Sequence, residues 1–218
     1  MEMTALDGVE RNTYIPQAFV QGENGWISYP DALQGVDVSV YQGEIDWQAV
    51  ADAGVDFAII RVGYRGYSQG AIQPDTNFQK NMEGALKAGL DVGVYFFSQA
   101  TTVREAEEEA DYVLEAIRNY PVTYPVVFDW EFIDGQQART DEIEGERMTE
   151  CAKTFCELVR AGGYTPMVYG GTYVTYMKYD QGALADYLSW YPEYKSEKSE
   201  KLCPTLVYHM DYWQYSSK

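Results

Sequence analysis

The sequence predicts an α/β fold in which helices pack outside a parallel β-sheet within a single domain. From Gly35 onward, short apolar segments alternate with longer amphipathic ones, an order typical of βαβ units in a parallel sheet. The predicted helices end at Gly54, Gly89 and Gly162, because glycine adopts the left-handed conformation of a helix C-cap at low cost. The 218 residues, 46% of them hydrophobic, suit one sizeable core.

The predicted elements follow a polar N-terminal arm, residues 1–30, and belong to a folded domain at residues 31–218. Predicted strands occupy residues 35–41, 57–63, 91–98, 125–132 and 166–170, with weaker signals at 187–191 and 206–215. Predicted helices end near residue 54 and cover residues 77–88, 103–119 and 142–161. An open doubly wound sheet is the competing architecture. Its Gly-x-Gly-x-x-Gly fingerprint does not follow the first strand, which favours a barrel.

Charge and hydropathy exclude two classes of partner. The formal net charge is −18, so we expect no nucleic-acid partner, because the phosphates would be repelled. No stretch reaches the roughly 18 apolar residues of a membrane span. Residues 1–25 lack the basic start and apolar stretch of a signal peptide, so the protein is either cytoplasmic or has lost an export signal. The acidic run at residues 105–109 has the pattern of a solvated helix face.

The cysteines and the histidine offer little chemistry. Cys151, Cys156 and Cys203 are too few for a disulfide framework and lack the spacing of a zinc site. We expect them to be small core residues. His209 is the single histidine and has no recognisable partner, so the sequence does not support a Ser-His-Asp triad.

The segment Val126–Phe132 carries two acids in a strand pattern. Alternation places Asp129 and Glu131 on one face and the aromatic neighbours, Phe128 and Trp130 among them, on the other. The two Cα atoms should lie about 6.6 Å apart. Paired carboxylates at the end of a buried strand raise the pKa of at least one of them, which is the state that a general acid of glycoside hydrolysis needs. The alternatives are that both acids are salt-bridged or solvated, or that they bind a divalent cation.

The first predicted strand adds a third acid. Alternation in the segment after Gly35 places Asp37, Ser39 and Tyr41 on one face and valines on the other. Asp37 alone is typical of a capping acid in a loop. Beside the acid pair of the later strand, it would complete a cluster of three carboxyl groups inside the sheet.

Polar and aromatic residues recur at the ends of other predicted strands. Several aromatic rings at one barrel mouth would form stacking platforms for sugar rings. Taken singly, each of these residues is better explained as part of the core or its rim. The candidate substrate-binding residues are Tyr41, Tyr64, Tyr95, Tyr169, Trp190 and Gln214, with Arg65, Ser98 and Gln99 beside them.

Five motifs in the same order resemble glycoside hydrolase family 25 lysozymes, the Chalaropsis-type muramidases. They run from about Gly35 to the C-terminus. The motifs are Gly-Val-Asp-Val-Ser-Val-Tyr-Gln-Gly with Ile-Asp-Trp at 35–47, Ile-Arg-Val-Gly-Tyr-Arg-Gly at 60–66, Gly-Val-Tyr-Phe-Phe-Ser at 93–98, Pro-Val-Val-Phe-Asp-Trp-Glu at 125–131 and Trp-Gln-Tyr-Ser at 213–216.

The resemblance implies a fold, an activity and residue roles. The fold would be an irregular, TIM-like (β/α) barrel. The activity would be hydrolysis of the β-1,4 bond between N-acetylmuramic acid and N-acetylglucosamine in peptidoglycan. Glu131 would act as general acid/base, Asp129 would orient the 2-acetamido group for substrate-assisted retention, and Asp37 matches the acid of the family's first strand. An inverting route stays open.

The same resemblance implies the setting of the protein. The partner would be the glycan strands of peptidoglycan, met by a secreted monomer outside the cell or in the cell wall, with no cofactor and no metal. The family pattern continues to a final strand with another acid, whereas this sequence ends at Lys218, so either the C-terminal strand is truncated or this branch of the family lacks it. Two alternatives therefore remain: a non-catalytic glycan-binding barrel, and a hydrolase of another acetamido-sugar polymer such as chitin.

Overall fold

A computed structural model describes residue 6, residues 8–195 and residues 201–217. A curled parallel sheet forms a half-barrel, and helices cover its outer face. The strands are β1 (Val20–Gln21), β2 (Ile27–Ser28), β3 (Gly35–Val38), β4 (Phe57–Arg65), β5 (Ile72–Pro74), β6 (Asp91–Ser98), β7 (Val126–Trp130), β8 (Pro166–Tyr169), β9 (Leu188–Pro192) and β10 (Tyr212–Gln214). The α-helices are α1 (Trp47–Asp52), α2 (Phe78–Lys87), α3 (Val103–Ile117), α4 (Gly145–Ala161), α5 (Thr172–Met177) and α6 (Gln181–Leu184).

The main sheet has the strand order β10-β9-β8-β7-β6-β4-β3, and β5 pairs with β4. Every pair along this order is parallel, and only β5 runs antiparallel to its neighbour. The predicted α/β class is therefore confirmed. Among the described residues, no backbone ladder joins β10 to β3, so the barrel is open along one seam.

Side chains bridge this seam between the first and last strands of the sheet. Gln214 Nε2 of β10 donates to Asp37 Oδ2 of β3 at 2.9 Å. Tyr215 Oη donates to Gln34 Oε1 at 2.8 Å. Segments that lie far apart in the chain are thus held together by polar side chains instead of a β-ladder.

The two faces of the sheet bury different sets of side chains. Phe128 and Trp130 of β7 belong to the large core between sheet and helices, where Phe128 packs against Phe155 of α4 with ring centroids 5.4 Å apart. The inner face holds a smaller cluster that includes Val127 and Met167. The predicted alternation along β7 is therefore confirmed.

A register shift in β4 reverses the faces of its last residues. The pairing with β6 slips between Arg61 and Gly63, and after this bulge Arg65 lies on the helix side, where its Nε bonds Glu109 of α3. Gly63 is required at the bulge, because a Cβ there would approach the Gln73 carbonyl oxygen to 2.5 Å. Arg65 is therefore not at the barrel mouth, where the sequence had grouped it with its neighbour.

The acidic run on α3 is only in part the solvated face that the sequence predicts: Glu107 and Glu108 are exposed, whereas Glu105 and Glu109 are not. Glu109 is 0% exposed, and its Oε1 accepts from Arg65 Nε at 2.6 Å. Glu105 Oε1 accepts from Arg139 at 2.6 Å. The charge pattern alone could not reveal two arginines that come from other segments, so this prediction was wrong for both glutamates.

Smaller differences concern turns and element ends. The first strand stops at Val38 instead of residue 41, because Ser39 and Gln42 form a capping box around a 3₁₀ turn at Val40–Gln42. Left-handed glycines follow α1 and α2, at Gly54 and Gly89. After α4 the left-handed residue is not Gly162, as predicted, but the glycine that follows it. The last strand covers only Tyr212–Gln214.

The N-terminal segment and the cysteines complete the fold. The short antiparallel strands β1 and β2 pair with each other, and Phe19 and Ile27 beside them pack in a cluster with Cys203. All three cysteines are free and buried, as predicted. Within residues 6, 8–195 and 201–217, no helix has both the length and the apolar character needed to cross a membrane.

Candidate active site

The acid pair of the sequence lies at the carboxyl end of β7, near the middle of the sheet. Asp129 is 5% exposed and is paired in register with Phe97 of β6 and Tyr169 of β8. Glu131 follows one residue beyond the end of β7 and is exposed to solvent. Asp129 is therefore buried in the inner face of the sheet, and Glu131 lies at the opening of the cleft.

Asp129 is buried without a fixed partner for one of its oxygens. Its Oδ1 atom has no hydrogen bond to any described residue. Burial raises the pKa of Asp129 well above its ordinary value of 3.8, and the charges of Glu131 and Asp37 raise it further, while Arg61 opposes them. A buried carboxyl group in this state favours its neutral form. Its unpartnered oxygen can still form a hydrogen bond with a ligand.

Glu131 also holds its proton more tightly than an ordinary glutamic acid. Although part of the residue reaches solvent, the protein atoms around its carboxyl group displace water and raise its pKa from 4.5, and the charges of Asp37 and Asp134 add to the effect. Its backbone carbonyl accepts a hydrogen bond from Gln99 Nε2 at 2.8 Å. The carboxyl group is thus biased towards its protonated form while its backbone is held in place.

Asp37 joins the two acids electrostatically from the first strand of the sheet. Burial raises its pKa, and the hydrogen bond from Gln214 lowers it. Gln214 Oε1 in turn accepts from the hydroxyls of Tyr169 and Tyr194, each at 3.1 Å. The charge of Asp37 acts on both other acids, and two tyrosines fix the amide that holds Asp37.

The predicted aromatic residues divide into buried and exposed groups. Trp190 meets the edges of Tyr169 and Tyr95, with ring centroids 5.0 and 6.4 Å apart. Burial raises the pKa of Tyr95 and, to a still higher value, that of Tyr169; nearby acids add to both shifts. Both phenols therefore stay neutral and can act only as hydrogen-bonding groups. These three rings line the inner wall.

Tyr41 and Tyr64 stand at the rim, on either side of an arginine. The Arg61 guanidinium carbon lies 5.1 Å from the Tyr41 ring centroid and 5.4 Å from that of Tyr64. Arg61 Nε donates to Asp75 Oδ2 at 2.8 Å, which fixes the side chain from behind. Tyr41 is 83% exposed, so the face of its ring is available to a ligand.

The sequence and fold of this chain are similar to those of known glycoside hydrolases. The family model described as "Glycosyl hydrolases family 25" matches residues 36–218. The chain belongs to glycosyl hydrolase family 25. Lysozyme M1 of Streptomyces globisporus is 35% identical over 80 residues, which are 37% of this chain and 25% of that protein. The autolytic lysozyme of Clostridium acetobutylicum is 25% identical over 167 residues, or 76% of this chain and 46% of that protein.

The family 25 chain therefore spans between a quarter and a half of the length of these two curated relatives. Among solved structures, a family 25 glycosyl hydrolase from Bacillus anthracis superposes with a TM-score of 0.65 at 25% identity, covering 87% of this chain and 82% of that one. A bacterial lysozyme from Streptomyces coelicolor gives a TM-score of 0.66 at 24% identity, covering 86% and 85%. The half-barrel is thus the fold of this family, and the resemblance drawn from five motifs is confirmed.

Several residues of the family 25 cleft escaped the sequence analysis. Tyr194 follows β9 and bonds Gln214, and Tyr173 at the start of α5 packs against Phe132, with ring centroids 5.5 Å apart. Arg61 and Asp134 both change the charge around the acids. Tyr173, Tyr194 and Asp134 follow the carboxyl end of a strand within four residues, a signal that the strand boundaries could have supplied, whereas Arg61 lies inside β4. Among the described residues, no three His, Cys, Asp or Glu side chains are grouped so as to hold a metal ion.

Proposed function

We propose that this chain is a muramidase, which hydrolyses the β-1,4 bond between N-acetylmuramic acid and N-acetylglucosamine in bacterial peptidoglycan. The observation that carries the proposal is the set of three coupled acids, Asp37, Asp129 and Glu131, on the inner side of a family 25 half-barrel. Among the described residues, none of the three forms an ion pair. Their carboxyl groups are therefore not neutralised by a fixed cation and can interact with a substrate.

Glu131 is the general acid/base of the proposed reaction. Its raised pKa keeps a proton that it donates to the glycosidic oxygen as the bond to the leaving sugar breaks. It then accepts a proton from the water that completes hydrolysis, which regenerates the acid. A pH optimum on the acidic side follows, because the first step requires protonated Glu131.

In the retaining, substrate-assisted route, Asp129 orients the 2-acetamido group of the substrate, which supplies the nucleophile. The carbonyl oxygen of the 2-acetamido group attacks the anomeric carbon, and Asp129 accepts a hydrogen bond from the acetamido N–H as positive charge develops. The unpartnered Oδ1 atom supports this role, because a substrate group would satisfy it. Asp37, fixed by Gln214, adds negative charge on the same side.

The remaining residues divide the work of binding the glycan. Tyr41 and Tyr64 offer ring faces at the rim, where sugars stack. Tyr95, Tyr169 and Trp190 shape the inner wall, and Gln214 orients Asp37. We place the protein at the cell wall or outside the cell, acting as a monomer on glycan strands without a cofactor.

The deciding experiment is digestion of purified peptidoglycan, followed by borohydride reduction and mass spectrometry, with Glu131→Gln as the inactive control. Fragments that end in reduced N-acetylmuramic acid support the proposal. Reduced N-acetylglucosamine ends would keep a hydrolase but change the bond. Binding to the wall without new reducing ends would favour a glycan-binding barrel, and faster release from chitin oligomers would favour another acetamido-sugar polymer.

A further inference from the structure

Gln99 occupies the point where the ladder between the two central strands stops. The last backbone pair of β6 and β7 joins Ser98 to Trp130, so Glu131 lies one step beyond the ladder. Gln99 lies one step beyond β6 and donates from its side-chain Nε2 to the Glu131 carbonyl oxygen at 2.8 Å. A side chain therefore continues the pattern where the backbone does not.

The Gln99 amide is held on all sides. Its Nε2 also donates to the Ser98 carbonyl oxygen at 3.0 Å, and its Oε1 accepts from Thr140 Oγ1 at 2.6 Å. Gln99 and Thr140 are both 0% exposed. Two donors and one acceptor are matched, so a carboxylate of the same shape would face two carbonyl oxygens with no proton to offer.

Thr140 belongs to the loop that connects β7 to α4, and this loop is anchored a second time beside it. Arg139 bonds Glu105 Oε1 at 2.6 Å and Thr101 Oγ1 at 3.3 Å. The loop that begins at Glu131 is therefore fixed at its start by Gln99 and farther along by residues 139 and 140. None of these bonds involves the Glu131 carboxyl group, which stays free for chemistry.

We propose that Gln99 is a positioning residue for Glu131, which sets where the carboxyl group stands over the cleft through the backbone of Glu131. It does not contact the substrate. The inference deepens the proposed muramidase activity and rests on it. Displacement of a catalytic group by about 1 Å can lower a rate by about 100-fold, so the loss of this bond should appear in kcat.

The test compares Gln99→Glu, which keeps the shape but removes the donors, with Thr140→Val, which leaves Gln99 in place and removes its partner. The matched controls are Gln181→Glu, at an amide that donates to the Thr175 carbonyl oxygen away from the acids, and Thr149→Val in α4, whose hydroxyl bonds the Gly145 carbonyl oxygen. Soluble peptidoglycan oligomers give kcat and KM. NMR titration of the Glu131 carboxyl group gives a readout that does not depend on turnover.

We expect kcat to fall about 10- to 100-fold for Gln99→Glu and about threefold for Thr140→Val, with KM changed less than threefold and the titration of Glu131 displaced in both. The controls should keep the kcat and the Glu131 titration of the wild type. If Gln99→Glu does not fold, Thr140→Val alone decides.

Two outcomes would overturn the proposal: a folded Gln99→Glu or Thr140→Val protein with wild-type kcat, or losses that the controls share in proportion to their thermal midpoints. Failure of the proposed muramidase activity would give a different result from failure of the Gln99 proposal. A wild-type protein that releases no reducing ends would refute the muramidase. A displaced Glu131 titration in Thr140→Val, which adds no charge beside Glu131, would still show that Gln99 positions this acid.

Discussion

Two buried carboxyl groups on opposite faces of the sheet differ in whether a cationic side chain pairs with them. Glu109, on the helix side, accepts a hydrogen bond from Arg65 at 2.6 Å. Each has one oxygen without a hydrogen-bond partner among the described residues, Glu109 Oε2 and Asp129 Oδ1, but Asp129, on the inner side, forms no ion pair with a described residue. Burial raises the pKa of both, to about 7 for Glu109 and well above 3.8 for Asp129. Burial alone therefore does not mark the reacting group, whereas a buried acid without a fixed counterion does.

The largest expected effect is on the rate of bond cleavage, when glutamate is replaced by glutamine on the inner side of the sheet and, for comparison, on the helix side. Glu131→Gln should lower the rate of bond cleavage about 1000-fold, because general acid/base catalysis contributes on that order, while the thermal midpoint stays within a few degrees. Glu109→Gln should retain turnover. Reducing-end assays on both variants measure this, and near-normal turnover by Glu131→Gln would remove its assigned role.

Loss of the counterion should damage the fold and not the chemistry. Arg65→Met leaves Glu109 buried without its partner, which costs about 3–5 kcal/mol in the free energy of unfolding. Arg104→Met is the matched control, because Arg104 pairs with Glu108 at an exposed site, where such pairs contribute at most about 1 kcal/mol. Urea unfolding of both variants checks the difference, and equal losses would contradict it.

Glu109 should also make the free energy of unfolding depend on pH. Its folded pKa of about 7 lies above the ordinary value of 4.5, so the folded state binds the proton more tightly than the unfolded chain. Stability contributed by this proton is therefore present below pH 4.5 and is lost as pH rises to about 7, with a slope of up to about 1.4 kcal/mol per pH unit. Glu109→Gln should remove this slope, and an unchanged slope in urea titrations would argue against it.

Asp129 should resemble Glu109 in its effect on stability but, unlike Glu109, should also affect turnover. Its raised pKa means that ionisation costs stability as pH rises above its ordinary value. Asp129→Asn should therefore raise the free energy of unfolding at pH 7, while it lowers turnover. A destabilised Asp129→Asn protein with normal activity would reverse the comparison between the two carboxyls.

The smallest effect concerns the charge of the whole molecule. At a net charge of −18, long-range attraction to an anionic cell wall is unfavourable, and salt screens the repulsion. Activity should hold or rise between low and moderate salt. Rates on purified walls at several sodium chloride concentrations test this, and a steep fall with added salt would be inconsistent with it.

The sequence predicts the parts of the fold that local patterns encode. The strand at residues 91–98 matches β6, and alternation along β7 correctly separates its aromatic residues from Asp129. The motifs also identify the family. The three acids were grouped because strands of one parallel sheet end at the same edge.

Other features depend on partners far away in the chain. The bulge in β4 reverses Arg65, and Gln214 reaches Asp37 across 177 positions. Gln99 carries no motif, and its importance appears only when Glu131 and Thr140 meet its amide. Such contacts arise from tertiary packing, which neither propensity nor periodicity records.

The open seam has a consequence for how the molecule folds and fluctuates. β3 and β10 meet through Gln214 and Asp37 without a shared ladder, and their contact closes a loop that includes most of the chain. Long loops close late in folding, so this junction should form after the central strands have assembled. Once formed, amide hydrogens along the seam should exchange with deuterium sooner than those of β6 and β7. The wall of the cleft that holds Asp37 should therefore open more readily than the wall formed by β6 and β7.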